Sequence, residues 1–222
     1  MDTINQIPDY EVPDVDIDEL AKEGTLTEDL FSTLNTFNSK DFALHLINVC
    51  EEYLGVSRGE NLEQVSRFLK LFNLNVKDGS RWMPFCAAGL SFAAAKNFCN
   101  LSNIEYDADN AISKFKSVLP TIRNRYFLPS PSCFRIRDFA IKQSKWLPNS
   151  ASNRTKVKPG YLILFQFDSD SLPDHIGLVK SIDSNSVQTI EFNTSDSDNT
   201  NGGSVARKDR SFKNIQGFVK LY

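Results

Sequence analysis

KPGYLILFQF, residues 158–167, is where the chain changes character. Pro159 and Gly160 form a turn signal, and the apolar, β-branched and aromatic run behind them reads as a strand. HIGLVKSI (175–182), VQTIEFN (187–193) and IQGFVKLY (215–222) repeat the pattern, separated by clusters of Asp, Ser, Asn and Gly. They are predicted to be antiparallel strands. Upstream the periodicity is helical. A helix is predicted over 39–54, with Ser39 as cap and Gly55 as stop, and a second over 61–73. A third covers PFCAAGLSFAAAKNF (84–98), with Pro84 in its first turn. Residues 107–119 and 131–146 suggest two more, bounded by Pro120, Pro129, Pro131 and Pro148. Helices first and strands afterwards predict an α+β domain.

At 222 residues and 41% hydrophobic, the chain is long enough for one sizeable domain with attachments. No apolar run approaches the roughly 20 residues that span a bilayer, so no membrane insertion is expected. The N-terminus has neither the basic nor the apolar region of a secretory signal, so synthesis in the cytoplasm is expected. Residues 1–30 hold ten acids and one base, which leaves 18 acids against 24 bases, a net +6, in 31–222. The segment 1–35 is therefore expected to be an acidic, flexible tail, with docking to a partner as the other reading. The domain proper is expected over 36–222. Its basic surface suits an anionic polymer, nucleic acid or cell wall, but no aromatic-interleaved basic motif points to nucleic acid. The four cysteines (Cys50, Cys86, Cys99, Cys133) lack CxxC or zinc-ribbon spacing, so neither a disulfide framework nor structural zinc is expected.

Three pieces bear on chemistry. In WMPFCAAG (82–89), Cys86 falls in the first turn of a predicted helix, where free N–H groups and the dipole favour an anion and lower a thiol pKa. In PDHIGLV (173–179), His175 opens a strand and, with Gly177 and Val179 as alternation partners, faces inward; taken alone it reads as a structural histidine. In IEFN (190–193), Glu191 and Asn193 share a strand face, and either can accept a hydrogen bond from an imidazole. The other histidine, His45, lies in an amphipathic helix and reads as structural. Cys50 reads as core, and Cys99 and Cys133 as packing residues with a bridge between them as the minor alternative. Trp82 and Trp146 read as packing or as sugar-groove residues, Trp82 with the better claim because it is so near Cys86.

Together these motifs, with PGYLILF, DHIGLVKSI and TIEFNTS…GGSVARKDR, resemble the CHAP family of cysteine amidases and endopeptidases, papain-like enzymes related to the NlpC/P60 peptidases, over roughly 40–222. The resemblance implies a nucleophile helix packed on a C-terminal antiparallel sheet. It implies Cys86 as nucleophile, His175 as base, Glu191 as the group orienting the imidazole and Asn193 as an accessory. Phe85 stands where the family has Trp, Tyr161 where it has Asp, and Phe192 where it has Gly. Trp82, Phe85 and Phe192 are expected to bind substrate, Phe192 narrowing the cleft. A helical insertion near 100–157 is expected to wall the groove. The family's Asp-rich calcium loop has no counterpart; DSDNTNGG (196–203) is expected to be a flexible hairpin. The implied substrate is a peptidoglycan amide, cut without metal or organic cofactor. Action in the periplasm or wall would follow export, injection or phage lysis, and an injected effector would have an immunity or secretion partner. A small-molecule amidase and a non-catalytic binding module are the alternatives.

Overall fold

The computed structural model describes residues 13, 15–24, 37–194 and 203–222. Its elements run α1 (Ile17–Lys22), α2 (Ser39–Glu51), α3 (Leu62–Lys70), a small hairpin of β1 (Lys77–Asp78) and β2 (Arg81–Trp82), then α4 (Cys86–Leu101), α5 (Ala111–Arg125) and α6 (Cys133–Lys142). After these come β3 (Trp146–Pro148), α7 (Ala151–Arg154), β4 (Leu162–Phe165), β5 (His175–Ile182), β6 (Ser186–Thr194), β7 (Ser204–Ser211) and β8 (Ile215–Val219). The six larger-sheet strands are ordered β3-β8-β4-β5-β6-β7, with every neighbouring pair antiparallel. The fold is α+β.

Helix α4 is the centre of the molecule. Thirteen of its 16 residues are buried, which suits a helix that is apolar on all sides. Its alanines let neighbours approach closely, and Gly89 does so most. A Cβ there would lie 2.4 Å from Cδ1 of Phe192 on β6. The missing side chain lets the sheet seat directly on the helix. Leu162, Leu164, Ile176, Leu178, Ile190 and Phe192 join the α4 side of the core. Ile163, Phe165, Val179, Val187 and Phe218 form a second apolar cluster on the other sheet face. Strand β4 is thus buried on both sides, which explains its unbroken apolar run.

Several details differ from the sequence reading. Asn38, not Ser39, caps α2, its side chain accepting from the Asp41 N–H at 2.9 Å. Gly55 takes φ +85° just beyond that helix, as a stop residue does. Pro84 lies ahead of α4 rather than in its first turn, because Phe85 is the N-cap and Cys86 the first helical residue. Pro120 sits inside α5 instead of ending it. The buried Val118, Leu119 and Ile122 on either side keep the helix packed through the lost hydrogen bond. The insertion at 100–157 is not wholly helical: the helix expected to 146 stops at Lys142, and Trp146 pairs with Val219 as edge strand β3. SVARKDRS, which is not among the predicted strands, is strand β7 along β6.

Part of the acidic N-terminus is docked. Asp16 caps α1 by accepting from the Asp18 and Glu19 N–H groups, and Ile17 and Leu20 are buried. Asp18 pairs with Arg123 at 2.7 Å, and Glu23 with Lys116. Residues 1–12, 14 and 25–35 of the expected flexible segment lie outside the described residues, as do 196–202 of the expected hairpin. Among the described residues, no helix is long and apolar enough to cross a membrane.

Candidate active site

Cys86 opens α4. Phe85 makes no side-chain cap, the first turn holds no acid, and the Ala87 N–H bonds the Cys86 sulfur. His175 opens β5 beside the same sulfur, close enough for each to shift the other's pKa. Its Nε2 is 3.0 Å from Oε2 of Glu191, which leaves Nδ1 for the thiol. Register explains the second contact. Gly177 pairs with Glu191 across β5 and β6, so His175 and Glu191 are diagonal neighbours on one face. A Cβ at Gly177 would lie 2.9 Å from Cγ of Glu191. Glycine makes room for the carboxylate beside the imidazole.

Glu191 is wholly buried and fully satisfied. Arg210 on β7 donates from Nε to Oε1 at 2.8 Å and from Nη2 to Oε2 at 2.5 Å, while Thr189 Oγ1 donates to Oε1 at 2.6 Å. Burial opposes ionisation, but the bonds from Arg210 and His175 prevail and hold Glu191 well below the usual carboxylate range. For His175, burial pulls the pKa down, and the bonds to Cys86 and Glu191 outweigh it, raising it to about 9.

The four thiols then part company. Burial pushes Cys50 up, and pushes Cys99 up to about 12. Cys86 is equally enclosed yet shifts far down. The bond from Cys133 is the largest cause; burial opposes it, and His175 and the Ala87 N–H add to the lowering. Cys133 opens α6 with its Sγ 3.7 Å from that of Cys86; donating to this neighbour, together with burial, drives its own pKa well up. The opposed shifts favour the negative charge on Cys86 and the protons on His175 and Cys133.

Asn193 does not join this chain. It sits at φ +55° in the register shift between Glu191 and Thr194, and its Oδ1 accepts from Nη2 of Arg58 at 2.7 Å. Arg58 also donates to the Met83 carbonyl at 2.6 Å and lies 5.6 and 5.3 Å from the ring centroids of Trp82 and Phe85. Burial lowers Arg58 to about 10, while the Cys86 charge acts in the opposite direction. The site therefore has a guanidinium facing the thiolate, held in place by Asn193.

Two expected substrate contacts are corrected. Phe85 and Phe192 are core residues, 0% and 1% exposed, packed around Phe68. Phe192 points at Gly89, so it narrows no cleft. Trp82 is 39% exposed, with Lys77 Nζ 4.2 Å from its ring centroid. Sequence reading missed Arg58, Arg210 and Cys133, and also two exposed apolar residues on the flanking segments, Phe134 after Cys133 and Leu172 ahead of His175. Arg137 on α6 donates to the Ser171 carbonyl at 2.5 Å, tying those two segments together.

His45 is structural, its Nδ1 2.6 Å from Oδ1 of Asn97. Asp168, Asp170 and Asp174, just before His175, bring carboxylate oxygens within 4.8 Å of one another, the arrangement that can hold a cation. These carboxylates already accept backbone N–H groups from Asp170, Leu172 and Phe167, which folds the loop without one.

Compared with known proteins, the chain matches no family model, no curated protein and no solved structure.

Proposed function

We propose that the protein is a cysteine-dependent amide hydrolase of the papain-like, CHAP type, acting on peptidoglycan. The observation that carries this reading is the chain Cys86–His175–Glu191, in which a buried thiol is shifted down while its neighbour imidazole is shifted up. Such a pair supplies nucleophile and proton donor together. The Cys86 thiolate attacks the amide carbonyl. The free N–H groups at the start of α4 receive the oxyanion, which is the usual large contribution to such catalysis. His175 then gives its proton to the leaving amine and afterwards takes one from the water that releases the acyl group. Glu191 touches no substrate atom; it fixes the ring so that Nδ1 meets the sulfur.

The placement of a nucleophile helix against an antiparallel sheet, with His and Glu on adjacent strands, supports the CHAP-type reading. Exposed Trp82 and half-buried Arg58 beside it suit a sugar-peptide carrying carboxylates. Near closure of the site favours a second reading, a small-molecule amidase, since Cys86 and His175 are only 5% and 7% exposed. Purified sacculi incubated with the protein distinguish the two. Soluble muropeptides from the wild type and none from Cys86→Ala support the first. Intact sacculi alongside Cys86-dependent cleavage of a small amide support the second. Intact sacculi with no amide cleaved leave a binding module.

A further inference from the structure

Cys133 is not needed to polarise His175 or to hold Glu191, yet it is placed as carefully as either. Ser132 caps α6 by accepting from the Arg135 N–H, and the preceding turn is bolted to α4. The Ser91 hydroxyl donates to the Ser130 carbonyl at 3.2 Å and accepts from the Ser130 N–H at 3.1 Å. Arg137 fastens the other side of α6 to the loop before His175. Two helices thus begin face to face, each with a cysteine as its first residue, and the sulfurs stand 3.7 Å apart. Both cysteines are free thiols, as are Cys50 and Cys99. The bridge considered between Cys99 and Cys133 is therefore absent, and the sulfur that Cys133 faces is that of Cys86.

We propose that Cys86 and Cys133 are a peroxide-reactive pair, in which a hydroperoxide oxidises Cys86 and Cys133 resolves it to a reversible disulfide. Resting on Cys86 as the activated thiol, the chemistry runs in two steps. The Cys86 thiolate attacks one peroxide oxygen. An S–O bond forms and the O–O bond breaks, the sulfur losing two electrons to become a sulfenic acid. The departing hydroxide takes the His175 proton and leaves as water. The Cys133 sulfur then attacks the Cys86 sulfur. The S–S bond forms, the S–O bond breaks, and the hydroxide departs with the Cys133 proton as a second water.

Closing from 3.7 Å to the roughly 2.05 Å of a disulfide asks for side-chain rotation at two helix starts rather than a refolding of either helix. A thiolate reacts with peroxide where a thiol does not, and a neighbouring resolving thiol is what stops oxidation at the reversible stage. Cys50 and Cys99 have their pKa values raised by burial and stay reduced. In the bridged form Cys86 is no longer a nucleophile, and a small dithiol restores it by exchange.

The test treats the full chain with hydrogen peroxide, blocks remaining thiols and maps peptides by mass spectrometry. The expected result is a linked Cys86–Cys133 peptide, two hydrogens lighter than the separate pair, with Cys50 and Cys99 alkylated and the link lost in dithiothreitol. In Cys133→Ala and Cys133→Ser, the expected product is Cys86 carrying two or three oxygens that dithiothreitol does not remove. Over-oxidised Cys86 in the wild type, with no linked peptide, overturns the pair. Should the untreated protein alkylate quickly at Cys86, the resolving role alone falls. A Cys86 inert to both peroxide and iodoacetamide overturns the pair and the hydrolase reading with it.

Discussion

Arg210 grips Glu191 through two hydrogen bonds, 2.8 Å from Nε and 2.5 Å from Nη2, and so holds a wholly buried carboxylate charged beside His175. Removing Arg210 leaves that charge with His175 as its one remaining cationic partner among the described residues. Arg210→Ala is expected to lower stability by about 3–5 kcal/mol, the usual cost of breaking a buried pair from one side. Chemical denaturation checks it. Arg210→Lys keeps the charge but not the two-point grip, so it should fall between the variant and the wild type.

Glu191 positions the imidazole, so its loss should damage rate more than binding. Glu191→Gln is expected to lower kcat by about 10²- to 10⁴-fold, with KM little changed and activity still measurable. A KM rise with unchanged kcat would instead place Glu191 in substrate binding. Cys86→Ala and His175→Ala are expected to remove turnover altogether, and full activity in Cys86→Ser would contradict a thiolate nucleophile.

Gly89 and Phe192 make the seam between helix and sheet. A methyl group at Gly89 would need space that Cδ1 of Phe192 occupies, 2.4 Å away. Gly89→Ala is expected to cost about 1–3 kcal/mol. A lowered Tm, partly recovered in Gly89→Ala with Phe192→Leu, checks that the clash is with this ring.

The pH dependence follows from the two opposed shifts. The reactive state needs Cys86 unprotonated and His175 protonated. It is present above the Cys86 pKa, which lies well below the ordinary thiol value, and is lost as pH rises through about 9, where His175 gives up its proton. The rate of amide cleavage is therefore expected to hold through neutrality and fall on the alkaline side with a midpoint near 9. A profile that instead rises toward pH 9 would mean Cys86 is an ordinary thiol.

The sequence carried the fold where periodicity is local and strong. The runs at 161–167, 175–182, 187–193 and 215–222 all hold strands, and α2, α3 and α4 lie close to their expected spans. Strand β7 has no strand signal in the sequence because Arg207, Lys208, Asp209 and Arg210 form an unbroken charged run. Its polarity makes sense only once β6 is beside it, when Arg210 has Glu191 to meet. Cys86, His175 and Glu191 were legible because each sits at an element boundary or in an alternation that a strand makes meaningful. Asn193 was misplaced because a left-handed residue in a bulge breaks the two-residue alternation that put it on the Glu191 face. Phe85 and Phe192 are expected to bind substrate, yet both are core residues packed around Phe68. Cys133 carried no local signal, since its meaning comes from α6 folding back against the start of α4.

The most direct test is the rate at which iodoacetamide modifies Cys86 at pH 6, followed by peptide mass mapping and compared with free cysteine. The ion-paired thiolate predicts modification of Cys86 at least about tenfold faster than free cysteine, because free thiols of pKa about 8.5 are almost wholly protonated there. Cys50 and Cys99 should remain unlabelled, and His175→Ala and Cys133→Ala should each remove part of the advantage. Alkylation of Cys86 no faster than free cysteine would contradict the activated nucleophile and everything proposed from it.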